Sequence, residues 1–197
     1  MRLMKYLVVT LIILLPGPNA CYHQNTSRAV IKVDCTKSTI LKNIPGSPNI
    51  TTVTSHCKDY QFDPDSLKMA LDIFVQEYAD QFVTSKIAVR EMLKNLKIEV
   101  SAIPRTVHAA YGINGKYLKG NIPVAGLALS KNHIWVEVKT SQIWSSALVH
   151  ELIHIIIWRK NIVHGDPDHE GKEFSGWTKE HTKLIERINK ILLDTET

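Results

Sequence analysis

Two histidines four residues apart, with a glutamate after the first, are the residues best spaced to do chemistry: His150-Glu151-Leu-Ile-His154. In a helix, positions i and i+4 share a face one turn apart, so both imidazoles can reach one metal ion. The Glu151 carboxylate then lies beside that ion, where it can hold and deprotonate a water. A zinc ion with three protein ligands brings the pKa of its water towards about 7 and so gives a nucleophile at neutral pH. The carboxylate takes the proton and later passes it to a leaving amine. The pattern predicts a zinc-dependent metallopeptidase with His150 and His154 as ligands and Glu151 as general base. The neighbours Ala147, Leu148, Val149, Leu152, Ile153, Ile155, Ile156 and Ile157 are apolar. Polar side chains in such a helix are costly to bury unless they are used. The plainer reading, two satisfied core histidines and a paired glutamate, is weaker for that reason.

A third ligand is needed. His169 follows fifteen residues after His154, beyond the turn-forming run His164-Gly-Asp-Pro-Asp. It would open a C-terminal helix and point back at the metal. His164 is the second choice and Glu173 the third. His169 and Glu173 are four apart, so one could bind while the other orients a ligand. Asp166 and Asp168 are further orienting candidates, though a solvated acidic turn explains them as well. Tyr111, Tyr117 and His181 are candidates for stabilising an oxyanion, and the residues do not choose among them.

The elements that must hold these groups are legible in outline. Asp63 can cap a helix with Pro64 at its first position, and Leu67, Ala70, Leu71, Phe74, Tyr78 and Phe82 recur at helical spacing. Thr84 or Ser85 begins a second helix to about Leu96, with Ile87, Met92 and Leu96 inward. Residues 97–103 alternate with period two and read as a strand. Residues 104–123 read as irregular. Strands follow at 124–129 and 133–138, the latter with Trp135 and Glu137 facing away from Ile134 and Val136. Thr140 or Ser141 caps the motif helix, which runs to Arg159, and a last helix covers about 173–193. The expected class is α+β: N-terminal helices, a small mixed sheet, the motif helix and a C-terminal helix.

The stretch from about 133 to 177 resembles the SprT-like zincin peptidases and related small zincins. That family shows a β-hairpin, a HExxH helix, a gap of just over a dozen residues, then His-Gly-x-x-aromatic. Here the second part reads His169-Glu-Gly-Lys-Glu-Phe174, with one extra residue before the aromatic, and Trp158 also fits the family. The resemblance covers about a quarter of the chain. It implies a minimal zincin whose edge strand holds an extended peptide. The strand at 133–138 or at 124–129 could serve, since an exposed edge pairs with a substrate backbone. No cysteine-rich ribbon follows, so the DNA-linked roles of that family do not transfer.

Residues 1–20 read as an export signal. Arg2 and Lys5 precede an apolar run from Tyr6 to Leu15, and Pro16, Gly17 and Pro18 end it. The run is shorter than the roughly 20 residues a spanning helix needs. Cys21 stands where a lipoprotein signal places its lipidated cysteine, which would attach the chain to a membrane. Pro18 and Asn19 fit that pattern poorly. Cys35 and Cys57 remain as a pair, and a bridge between them would contribute roughly 3 kcal/mol. Residues 21–58, rich in Ser, Thr, Asn and Pro, read as a tether or extension with one short strand at 29–33. Residues 59–197 read as the catalytic domain. Asn25 and Asn49 open glycosylation tripeptides, which are common by chance.

Hydrophobic residues make up 44% of the chain and charged residues 22%. That composition suits a globular protein and excludes a disordered tail. A domain of this size buries a core without metal or disulfide staples, so a metal here is expected to serve catalysis. The net charge of +5 includes Arg2 and Lys5, and the other cations are scattered. A solvated basic surface explains them better than nucleic-acid binding. The expected partner is a peptide or protein substrate, met by an exported monomer. The competing expectation is a non-catalytic zinc-binding surface lipoprotein on a zincin scaffold. A third is a zinc hydrolase acting on a cell-wall amide.

Overall fold

The computed structural model describes residues 35–41, 44, 50–57, 63–111, 117–137, 146–160 and 176–195. The leader expected at 1–20, Cys21, the expected strand at 29–33, Asn25, Asn49 and the cap expected at Thr140 or Ser141 lie outside these residues. Among the described residues, no helix is long and apolar enough to cross a membrane.

Eleven elements follow in the order β1 (Cys35–Leu41), β2 (Thr51–Cys57), α1 (Pro64–Gln81), α2 (Lys86–Met92), β3 (Lys97–Ser101), β4 (Arg105–Tyr111), β5 (Tyr117–Val124), β6 (Gly126–Ser130), β7 (His133–Glu137), α3 (Ser146–Arg159) and α4 (Lys179–Asp194). The main sheet has the order β1-β2-β3-β7-β6. Strands β2, β3 and β7 run parallel, and β1 and β6 are antiparallel to their neighbours. The architecture is a mixed α and β arrangement of four helices and a small mixed sheet, which agrees with the α+β class at that level.

Residues 35–57, expected in the N-terminal extension, supply β1 and β2 of this same sheet. Thr51 pairs with Lys97 and Thr54 with Val100, so β2 is continuous with the parallel core. The Ser, Thr and Asn content suggests a linker, but the β-branched Thr51, Thr52 and Val53 suit a strand. Cys35 and Cys57 are Cα partners across β1 and β2, the backbone register that a bridge between them requires.

Helix α1 starts as its sequence dictates. The Asp63 carboxylate accepts from the Asp65 and Ser66 amides at 3.0 and 3.3 Å, and Pro64 opens the first turn. Leu67, Ala70, Leu71, Phe74 and Tyr78 are buried along one stripe. They meet Leu148, Leu152 and Ile156 of α3, Leu184, Ile185 and Ile188 of α4, and Ile98, Val100, Ile134 and Val136 of the sheet in one core. Helix α3 is apolar on nearly every side because it is covered on nearly every side. It lies against β6 and β7, against α4, and touches α2.

Helix α2 is shorter than expected, and its inward face differs. Ile87 is 75% exposed, whereas Val89, Leu93 and Leu96 are buried. Both stripes satisfy helical spacing, but Ile87 shares its face with Arg90, Glu91 and Lys94, and that charge keeps the face in water. Ser85 caps the helix through the Ala88 amide at 3.1 Å. Residues 104–123, expected to be irregular, hold β4 and β5 as a separate two-stranded ribbon. Ala109, Ala110, Gly120 and Pro123 carry little strand signal, and a two-stranded ribbon accommodates them, since its outer edges need no further ladder bonds. The Arg105 guanidinium lies 4.9 Å from the Trp135 ring, on the sheet face away from the helices, and its Nη2 donates to Glu99 at 2.6 Å.

The end of α1 is strained. The Thr84 amide donates to the Ala79 carbonyl at 3.0 Å and the Phe82 amide to the Tyr78 carbonyl at 3.0 Å. That pattern needs a left-handed residue after the cap, normally glycine. Val83 occupies it at φ 49° and is 93% exposed. A β-branched residue there costs on the order of 1–2 kcal/mol, and Val83 recovers almost none of that by packing. Val83→Gly is therefore expected to stabilise by about 0.5–1 kcal/mol after the entropy of the new glycine is counted. A thermal melt should show the midpoint raised by about 1–4 °C, and a midpoint lowered instead would refute the strain.

Candidate active site

The motif spans the second and third turns of α3, and the packing of that helix fixes it. At the far end, Arg159 ties the helix to two neighbouring turns. Its Nη1 donates to the carbonyls of Met92 and Lys94 at 2.7 and 2.8 Å. Its Nε donates to the Lys131 carbonyl and its Nη2 to Asn132 Oδ1, both at 2.7 Å. The helix is thereby locked to the β6–β7 turn and to the end of α2. Nothing in the spacing of the sequence singles out Arg159 for this role.

His150 and His154 turn the same way. Their Nε2 atoms approach to 2.8 Å, and the rings meet edge to face at 68° with centroids 4.6 Å apart. Two zinc–nitrogen bonds at a tetrahedral angle would set these atoms about 3.4 Å apart. A small opening of the pair meets that requirement, so the donors fit a metal. His150 is buried and His154 half-buried.

Among the described residues, no group of three or more His, Cys, Asp or Glu gathers to complete a metal site. The candidates for the third ligand, His169, His164 and Glu173, lie outside the described residues, as do Asp166 and Asp168. The C-terminal helix expected from about 173 starts at Lys179, because Gly176 has a φ of 127° and Trp177 and Thr178 precede the first helical turn. Of the oxyanion candidates, Tyr111 and Tyr117 are Cα partners at one end of the β4–β5 ribbon.

His181 is accounted for by the fold. Its Nδ1 accepts the Thr178 amide proton at 3.0 Å and so caps α4. Its ring stacks on Phe82 with centroids 4.5 Å apart. Burial, with smaller contributions from the Lys160 and His154 charges, pushes its pKa down to about 4. The ring is therefore neutral at pH 7, with its proton on Nε2.

Two residues that sequence reasoning missed complete the surroundings. Trp177 is buried and packs on both motif histidines, with ring centroids 4.9 Å from His150 and 5.0 Å from His154. Its Nε1 donates to Thr182 Oγ1 at 3.2 Å, which fixes the indole as one wall of the site. Gly126, the first residue of β6, lies against Glu151. A Cβ at position 126 would stand 2.5 Å from Glu151 Oε1 and 2.8 Å from its Cγ. The carboxyl group is thus directed from α3 to the start of the edge strand. No spacing rule marks a lone glycine or tryptophan for such a contact.

Of the two strands expected to offer an edge, β7 is paired on both sides, to β3 and to β6. Strand β6 pairs with β7 and ends the sheet order. Among the described residues, the edge therefore belongs to residues 126–130. Compared with known proteins, the chain matches no family model, no curated protein and no solved structure.

Proposed function

We propose that the protein is an exported zinc metallopeptidase of the zincin type, acting on extended polypeptide. The observation that carries this reading is the juxtaposition in α3. Two imidazole nitrogens converge at 2.8 Å, and the intervening glutamate is directed to the first residue of an edge strand. A metal-binding scaffold alone does not need that glutamate. Arg2 and Lys5 ahead of the apolar run from Tyr6 to Leu15 support export.

The residues divide the work. His150, His154 and a third ligand, His169 first among the candidates, would hold zinc, which when bound supplies a Lewis acid that lowers the pKa of water and polarises a carbonyl. The outer edge of β6 offers amides and carbonyls to an extended peptide and aligns it beside α3. Glu151 accepts a proton from the attacking water and returns it to the amine as the C–N bond breaks. One water is consumed, and a carboxylate and a protonated amine are released. Trp177 excludes solvent from one side of the imidazole pair, which strengthens the electrostatics of the site.

Hydrolysis of an unfolded protein substrate should be abolished by a zinc chelator and restored by added zinc. Restored hydrolysis supports the reading. Binding of one zinc with no hydrolysis of any peptide would instead favour a zinc-binding surface protein.

A further inference from the structure

We infer that Gly126 is a positioning residue: its missing side chain makes the space that seats the Glu151 carboxylate against the edge strand. This rests on the reading of Glu151 as general base.

The backbone at Gly126 is not in the left-handed region, unlike that at Gly120 and Gly176, so conformation does not demand a glycine there. Space does. A Cβ would meet Oε1, Cγ and Cδ of Glu151 at 2.5, 2.8 and 3.0 Å. All three lie closer than non-bonded heavy atoms pack against a methyl carbon. The strand cannot retreat, because Gly126 is in register with Val136 and the Glu137 amide donates to the Ala125 carbonyl at 2.8 Å. Glu151 has little room to withdraw, being 2% exposed on a helix enclosed by sheet and helices. A methyl group at 126 must therefore turn the carboxylate out of its place.

The consequence reaches the substrate. A peptide added along β6 lies beside residues 126–130, and Glu151 stands at the 126 end. The bond to be cut is thus level with Gly126. The peptide segment on one side of that bond runs along Leu127 to Ser130.

The test is Gly126→Ala in the full chain, measured for zinc content, kcat and KM. Zinc should remain at one per chain, kcat should fall at least about tenfold, and KM should change less than about threefold. In a Glu151→Asp background, where the side chain is one methylene shorter, the same substitution should change kcat less than about threefold. An unchanged kcat for Gly126→Ala, or equal losses in both backgrounds, would overturn the inference. Thermal unfolding reads the contact without reference to hydrolysis, and so separates it from the peptidase reading. Gly126→Ala should lower the midpoint by about 2–10 °C when Glu151 is present. It should lower it little in a Glu151→Ala background, and an equal drop in both would overturn the contact.

Discussion

Glu151→Gln is expected to keep zinc and to lose about a hundred- to ten-thousand-fold in hydrolysis, the range for removal of a general base. Glutamine has the shape of glutamate, so it fits the same space beside Gly126 and leaves the packing of α3 intact. It cannot accept the proton of water. The loss should fall on kcat, because the edge strand proposed to bind the peptide is untouched. Two measurements separate the outcomes: zinc per chain and kcat on one peptide. Zinc retained with hydrolysis lost is the expected result. Hydrolysis retained would assign the proton transfer to another group. Zinc lost would make Glu151 part of the metal site.

His169→Ala is expected to carry the next largest effect, at least about a hundredfold in zinc affinity. Two imidazoles leave a catalytic zinc short of its usual three protein ligands. Removing a group that merely orients a ligand costs about ten- to a hundredfold, so removing a ligand should cost more. His164→Ala should stay within about tenfold of the wild type, and Glu173→Gln, which removes at most an orienting group, within about a hundredfold. A large loss in either of these, with His169→Ala close to wild type, would reassign the third ligand.

What could be read from the sequence was whatever a single element dictates. The cap at Asp63, the strands at 97–101 and 133–137, and the i, i+4 histidines each follow from local rules. What could not be read depends on which element becomes a neighbour. Ile87 and Val89 both fit an inward stripe, and the docking of α2 decided for Val89. Residues 51–57 carry no strong strand pattern, yet the parallel edge of β3 gives them partners. The choice of β6 over β7 as edge is a matter of sheet order. Within the candidate site, the convergence of His150 and His154 was legible because their i, i+4 spacing puts both rings on one face of α3. Gly126 and Trp177 act by contact across 25 and 23–27 residues of sequence, and no pattern of residue types records that.

Zinc content per chain in the purified full-length protein tests the central claim most directly. About one zinc per chain, reduced sharply by His154→Ala in folded protein, is the result predicted from the convergent imidazoles. Folded wild-type protein that takes up no zinc when offered it would contradict the metallopeptidase account.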